Sequence, residues 1–274
     1  AQGANIGDVI NNIDDLVELN SDFQGDATKM ATIFSNPDKA DELKRLNDQF
    51  GDQGDTLLAN MDKLDEFEEL AADFQGDATK MATVFANPDK AEELKRLNDQ
   101  FGDQADTFLG NLDKLDEFEE LATDFGGDPT KMATVFANPD KAEELKRLND
   151  QFGDQADTFL GNLDKLDEFE ELATDFGGDP TKMATVFANP DKAEELKRLN
   201  DQFGDQADTF LGNLDKLDEF EELATDFGGD PTKMATVFAN PDKAEELKRL
   251  NDRLGDQADT FLGNSAKLDE FEEL

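Results

Sequence analysis

The side chains best placed to do chemistry in this 274-residue chain are carboxylates, 68 of them against 26 lysines and arginines. Asp150, Asp154 and Asp157 gather around Gly153, with Asn149 and Gln155 beside them. The same set returns as Asp48, Asp52 and Asp55, as Asp99, Asp103 and Asp106, and again in each later copy. Oxygen ligands crowded at a turn are what Ca2+ requires. These aspartates and their repeat equivalents are therefore the candidate metal ligands, and Ca2+ is the one cofactor the sequence suggests. The spacing is not that of an EF-hand, because no Asp-x-Asp-x-Asp-Gly run is followed by a Glu in twelfth place. A solvated acidic face accounts for the same residues more simply.

Other chemistry has little to draw on. The chain has no Cys, His, Trp or Tyr. General acid–base catalysis near neutral pH rests most often on His, and Ser21, Ser35 and Ser265 lie outside any Gly-x-Ser-x-Gly elbow. A paired-carboxylate glycosidase site needs a cleft, and usually aromatic platforms of Trp or Tyr. The sequence therefore predicts no enzymatic activity. A net charge of -42 repels phosphates, which speaks against nucleic-acid binding. No run of about 18 apolar residues could span a membrane. The opening Ala1-Gln2-Gly3-Ala4 suits a mature end left by signal-peptidase cleavage, which predicts an extracellular or cell-surface location.

What must position these residues is a repeat. Asp-Phe-(Gln/Gly)-Gly-Asp recurs with Phe23, Phe74, Phe125, Phe176 and Phe227, in steps of 51. Full units run over 20–70, 71–121, 122–172, 173–223 and 224–274, and the third and fourth are identical. Residues 1–19 are a divergent copy of the unit's last helix: Ile6, Ile10, Ile13, Leu16 and Leu19 fall in register with Phe108, Leu112, Leu115, Phe118 and Leu121. The chain thus begins and ends on the same type of element.

Within one unit, 122–172, the cap signals are strong. Phe125-Gly126-Gly127 ends a helix with residues free to turn left-handed. Asp128-Pro129 starts the next, an acceptor followed by Pro at the first helical position, and Asn138-Pro139 repeats that signal. The spacing predicts a short helix over 129–137, a medium one over 139–152 and a long one over 155–175. Gly161-Asn162 falls inside the long helix. Because Ala59 and Asp8 stand at the Gly161 position in other copies, positive φ is not required there, and the helix is expected to run on. Phe136, Phe152, Phe159 and Phe169 read as core, as does Met132.

The predicted fold is all-α: a tandem-repeat array of five 51-residue three-helix units, an α-solenoid-like rod with an extra N-terminal helix. Mean hydropathy is -0.71, and the apolar stripes are too narrow to close a core within one unit, so neighbours must supply the missing faces. The rival arrangement is five independent beads, against which stands the lack of any Ser/Gly/Pro-rich linker. Each unit such as 122–172 carries 13 acidic and 5 basic residues, a net of -8. Helical pairs such as Lys141–Glu144 and Glu143–Arg147 offset little of that surplus. Cations are therefore expected to stabilise the array or its assembly.

These features point to a self-assembling structural protein, a filament, sheath or surface-layer component whose partner is itself, head to tail or laterally. Matched ends would let Leu268, Phe271 and Leu274 of one copy meet Ile6, Ile10, Ile13 and Leu16 of the next. A monomeric acidic spacer, adhesin stalk or binding module is the first alternative. A calcium-binding or mineral-templating protein is the second.

Overall fold

The structure is a computed structural model that describes residues 7, 12–102, 104–153, 155–255, 260 and 262–264. It is helical, with no strand among the described residues. The chain divides into two units, Ala1–Ala142 and Glu143–Leu274.

The first unit opens with α1 (Ile13–Asp22), followed by α2 (Ala27–Ser35), α3 (Ala40–Phe50), α4 (Gly54–Ala59) and α5 (Leu64–Asp73). The pattern returns as α6 (Ala78–Ala86), α7 (Ala91–Phe101), α8 (Ala105–Gly110), α9 (Leu115–Asp124) and α10 (Pro129–Ala137). The longer helices lie in series, α1 against α3, α3 against α5, α5 against α7 and α7 against α9. In the second unit α11 (Ala142–Phe152), α12 (Ala156–Gly161), α13 (Leu166–Asp175), α14 (Pro180–Phe187) and α15 (Ala193–Phe203) repeat the order. They are followed by α16 (Ala207–Leu211), α17 (Leu217–Asp226), α18 (Pro231–Phe238) and α19 (Ala244–Leu254), with α13, α15, α17 and α19 again in series.

The expected long helix over 155–175 is broken, which corrects the three-helix unit. It ends at Gly161, turns through a 3-10 segment Leu163–Lys165 and restarts at Leu166. Gly161 takes no positive φ, as expected, but the break belongs to Asn162, at φ -137° and ψ 46°. Its amide Nδ2 donates to the Thr158 carbonyl at 2.8 Å and its backbone N–H bonds to Phe159 O at 3.1 Å. A side chain that satisfies a helical carbonyl in this way competes with the next turn of helix. Asn60 breaks the chain identically at φ -128° and ψ 47°, although Ala59 precedes it.

The same corner stands at Asn138, at φ -134° and ψ 57°, whose Nδ2 bonds to Thr134 O at 2.9 Å. There Pro139–Lys141 is the 3-10 segment, so the medium helix begins at Ala142 and not at Pro139. Each 51-residue unit is therefore two copies of one motif, short helix, 3-10 corner and longer helix. Thr134, Asn138, Lys141, Leu145, Leu148 and Phe152 correspond to Thr158, Asn162, Lys165, Phe169, Leu172 and Phe176, each 24 residues on.

The helix start at Asp128 and the stop at Gly126-Gly127 follow their sequence signals. Asp128 Oδ1 accepts from Thr130 N at 2.8 Å and Lys131 N at 3.3 Å. Gly126 and Gly127 take φ of 62° and 70°, and Gly127 N bonds back to Ala122 O at 2.7 Å. Helix α1 runs to Asp22, across the 19/20 repeat boundary.

The core is largely aliphatic, and aromatic clusters stand in it where longer helices meet the following short helix. Phe101, Phe108 and Phe118 surround Phe136 with ring centroids 5.1, 5.0 and 5.3 Å away, edge to face. Phe203, Phe210 and Phe220 surround Phe238 at 5.2, 5.1 and 5.3 Å in the second unit. Each such pair adds about 0.5–1.5 kcal/mol beyond area burial. The clusters join residues on both sides of the 121/122 and 223/224 repeat boundaries. Met132 is fully buried, as expected of core.

Candidate functional site

Charged side chains, arranged by the corners just described, form the feature most open to function. The first motif of each unit carries most of the basic residues and the second is almost wholly acidic. In 122–172, Lys131, Lys141, Lys146 and Arg147 belong to the first and only Lys165 to the second. Because longer helices of the two kinds alternate in series, each acidic helix lies beside mixed ones.

Adjacent basic residues reach in opposite directions. Arg96 on α7 binds Glu119 on α9 through Nε–Oε1 at 2.6 Å and Nη2–Oε2 at 2.9 Å, while Nη1 donates to Glu92 at 2.7 Å. Lys95 turns back to Glu69 on α5 at 2.7 Å and also meets Asp99. In the second unit Arg198 binds Glu221 at 2.6 and 2.9 Å, and Lys197 binds Glu171 at 2.5 Å. The bidentate fork fixes geometry as well as charge. Bonding to Glu119 and to Glu221 raises the Arg96 and Arg198 pKa values above their ordinary range. At the corners, Lys192 is raised by its bonds to Glu195 and then Asp218. These guanidinium groups are half-exposed, so each pair contributes only about 0.2–1 kcal/mol.

A buried polar contact accompanies the ladder. Asn98 and Asn200, 9% and 8% exposed, donate from Nδ2 to Asp73 and Asp175 at 2.9 and 2.8 Å. In the sequence these asparagines stand out only as neighbours of the aspartate corner. Their signal is an Asn on the apolar stripe of a strongly amphipathic helix, which needs a buried partner.

The predicted metal ligands fall in this frame as follows. Asp150 is bound by Lys146 at 2.8 Å, and its equivalents Asp201 and Asp252 by Lys197 and Lys248 at 2.7 and 2.8 Å. Asp154 lies outside the described residues. Asp157 is exposed on α12. Its equivalents Asp55, Asp106 and Asp208 meet Lys29, Lys80 and Lys182 at 2.5, 3.0 and 3.0 Å. Those lysines also sit over Phe23, Phe74 and Phe176, 5.3, 5.6 and 5.6 Å from the ring centres.

Asp52 and Asp55 do share one surface depression of about 470 Å³ with Asp22, Asp26, Lys29 and Asn47. Asp99 and Asp106 share its counterpart of about 520 Å³ with Lys80 and Asn98. The lysine ammonium supplies there, from within the chain, positive charge that a bound cation would otherwise bring. Among the described residues no group of three or more acidic side chains is close enough to hold a metal ion.

Of the predicted assembly residues, Leu16 is buried on α1 and Ile13 is exposed. Ile6, Ile10, Leu268, Phe271 and Leu274 lie outside the described residues. No described helix is long and apolar enough to cross a membrane. No family model, no curated protein and no solved structure matches the chain.

Proposed function

We propose that the chain is a structural building block, an α-solenoid-like stack of helical repeats that assembles with itself into an extracellular filament, sheath or surface layer. The observation that carries this reading is the invariance of the packing. Phe101–Phe136 and Phe203–Phe238 repeat at 5.1 and 5.2 Å, and Arg96–Glu119 and Arg198–Glu221 both repeat at 2.6 Å. Steps held by the same contacts preserve one geometry as units are added, which suits an extended element. Aromatic clusters that span repeat boundaries favour stacking over independent beads. The role proposed is structural and not catalytic.

Cations enter as screening. A surplus of eight negative charges per unit exceeds what exposed pairs of about 0.2–1 kcal/mol can offset, so Ca2+ or high salt would stabilise the array. The lysine partners of the Asp150 and Asp157 equivalents favour diffuse condensation over a dedicated calcium site. A monomeric acidic spacer or binding module would share the same packing and differ in size. Light scattering with and without millimolar Ca2+ separates them. Polymer, increasing with cations, is the expected result, and a monomer under every condition leaves the spacer reading. Deleting residues 1–19 should abolish polymerisation if the matched ends drive it, and unchanged filaments would refute that route.

A further inference from the structure

Proline occurs eight times, five times after a corner asparagine and three times after a cap aspartate. Those three are Asp128-Pro129, Asp179-Pro180 and Asp230-Pro231, in steps of 51, whereas the first two copies carry Asp26-Ala27 and Asp77-Ala78. A bond from aspartate to proline is a weak link in a peptide chain. The side-chain oxygen can reach its own carbonyl carbon in a five-membered ring, and intramolecular attack of this kind has a high effective concentration. The prolyl nitrogen, a tertiary amide with no N–H, is more basic than its neighbours and leaves more readily.

The fold restrains both groups of that reaction. Asp179 Oδ1 accepts from Thr181 N at 2.8 Å and Lys182 N at 3.2 Å, and Asp230 Oδ1 accepts from Thr232 N and Lys233 N at the same distances. The carbonyl oxygens of Asp128, Asp179 and Asp230 accept the first helical bond, from Met132, Met183 and Met234 at 3.0 Å. Turning the carboxylate onto the carbonyl would leave two N–H donors without a partner, and closing the ring would distort the first turn. In the first copy Asp26 shares its depression with Asp22, Lys29, Asp52 and Asp55, and Lys29 pairs with Asp55 at 2.5 Å. Bonds from Lys29 N and Thr28 N, more than any of those charges, hold the Asp26 carboxyl below its usual range. Pro129, Pro180 and Pro231 are exposed, so the cap and not a lack of water restrains the reaction.

We propose that these three bonds are latent breakpoints guarded by the folded cap, at which the chain cuts itself into single repeat units once the cap opens in acid. A carboxyl oxygen of the aspartate forms a C–O bond to its own carbonyl carbon and gives up its proton, and the C–N bond to proline breaks. The electron pair goes to the proline nitrogen, which takes up a proton and becomes the amino end of the next piece. Water then opens the cyclic anhydride to two carboxyl groups, so the net change is hydrolysis of one peptide bond. The pieces are 1–128, 129–179, 180–230 and 231–274. Phe101, Phe108 and Phe118, before the first cut, surround Phe136 after it, so a nicked chain stays joined there until it unfolds. The breakpoints do not depend on whether the chain assembles with itself.

Denaturing mass spectrometry of the full chain tests the proposal, after incubation at the lowest pH that leaves the helical circular dichroism native, with and without guanidinium. In guanidinium the four pieces should accumulate while Asp26–Ala27 and Asp77–Ala78 stay whole. Without it the cuts should be at least about tenfold slower, the factor set by an opening free energy of about 1.4 kcal/mol. Pro180→Ala restores the dipeptide of the first two copies, and Asp179→Ser keeps a cap oxygen without the carboxyl. Each should leave 129–230 as one piece in guanidinium. A denatured chain that stays whole, or that breaks equally at the Asp–Ala bonds, would overturn the proposal. So would a folded chain cut as fast as the denatured one.

Discussion

At Gln75 the backbone turns through φ 55°, the position where Gly126, Gly177 and Gly228 each take 62°. A side chain in that left-handed region costs roughly 1–2 kcal/mol, partly recovered because glycine loses more entropy on folding. Gln75→Gly should therefore stabilise the fold by about 1 kcal/mol in urea denaturation, and a loss of stability would show that Gln75 makes contacts worth more than its strain. Asn200 presents the opposite case, a polar side chain that belongs where it is. Its bond to Asp175 is the polar contact of an otherwise apolar stripe, so Asn200→Ala should cost about 1–2 kcal/mol. Asn200→Asp, which sets a second carboxylate against Asp175, should cost more than Asn200→Ala in the same assay, and equal costs would deny the pairing. Both residues were visible in the sequence, but neither role was. The glycine signal at 126 is legible because its chemistry is local, whereas the partner of Asn200 lies 25 residues away.

At the scale of the element, the corner at Asn162 decides what the repeat is. The cap at Asp128-Pro129 and the corner at Asn138-Pro139 are legible because proline announces them, although the helix after the corner starts only at Ala142. Asn162-Leu163 has no proline, and the lack of a required positive φ at Gly161 does not by itself make the helix continuous. Thr134–Asn138 and Thr158–Asn162 share one spacing, and each is followed by Asp-Lys two residues on. That pattern holds the corner through the asparagine amide, a signal independent of glycine. Leu163→Pro tests it. In a continuous helix a proline costs about 3 kcal/mol or more. At a corner already shaped like that at Pro139 it should cost less than about 1.5 kcal/mol, leaving only the loss of leucine packing. A cooperative melt with a larger loss would restore the long helix.

For the whole molecule, the charge excess was legible and its arrangement was not. Spacings of three and four along a helix reveal Arg96–Glu92, but Glu119 and Glu69 lie 23 and 26 residues from Arg96 and Lys95. The ladder thus emerges only once alternate helices are in series. Two opposed effects follow, and magnitude decides between them. Exposed pairs lose their small contribution as salt rises, while repulsion from a net -42 is relieved. The thermal midpoint should therefore rise from low salt to about 0.5 M NaCl, and a fall would mean that the ladder dominates. The lysines at the corners give a pH limit. Lys39, Lys90 and Lys192 have pKa values raised above 10.5 by bonds to Asp65, Glu93 and Glu195. A raised lysine contributes stability that is complete below its unfolded value and is lost as pH rises through the folded one. Denaturation midpoints should hold to about pH 10.5 and fall above it, and a decline that sets in near pH 9 would contradict this account.

On the proposal made above, one helical step repeated along an acidic chain builds an assembling structural element. Negative-stain electron microscopy of the purified chain in seawater-like ions tests it most directly. Regular filaments or sheets that disperse when divalent cations are chelated at low ionic strength are expected. Single dispersed particles in every ionic condition would contradict the proposal.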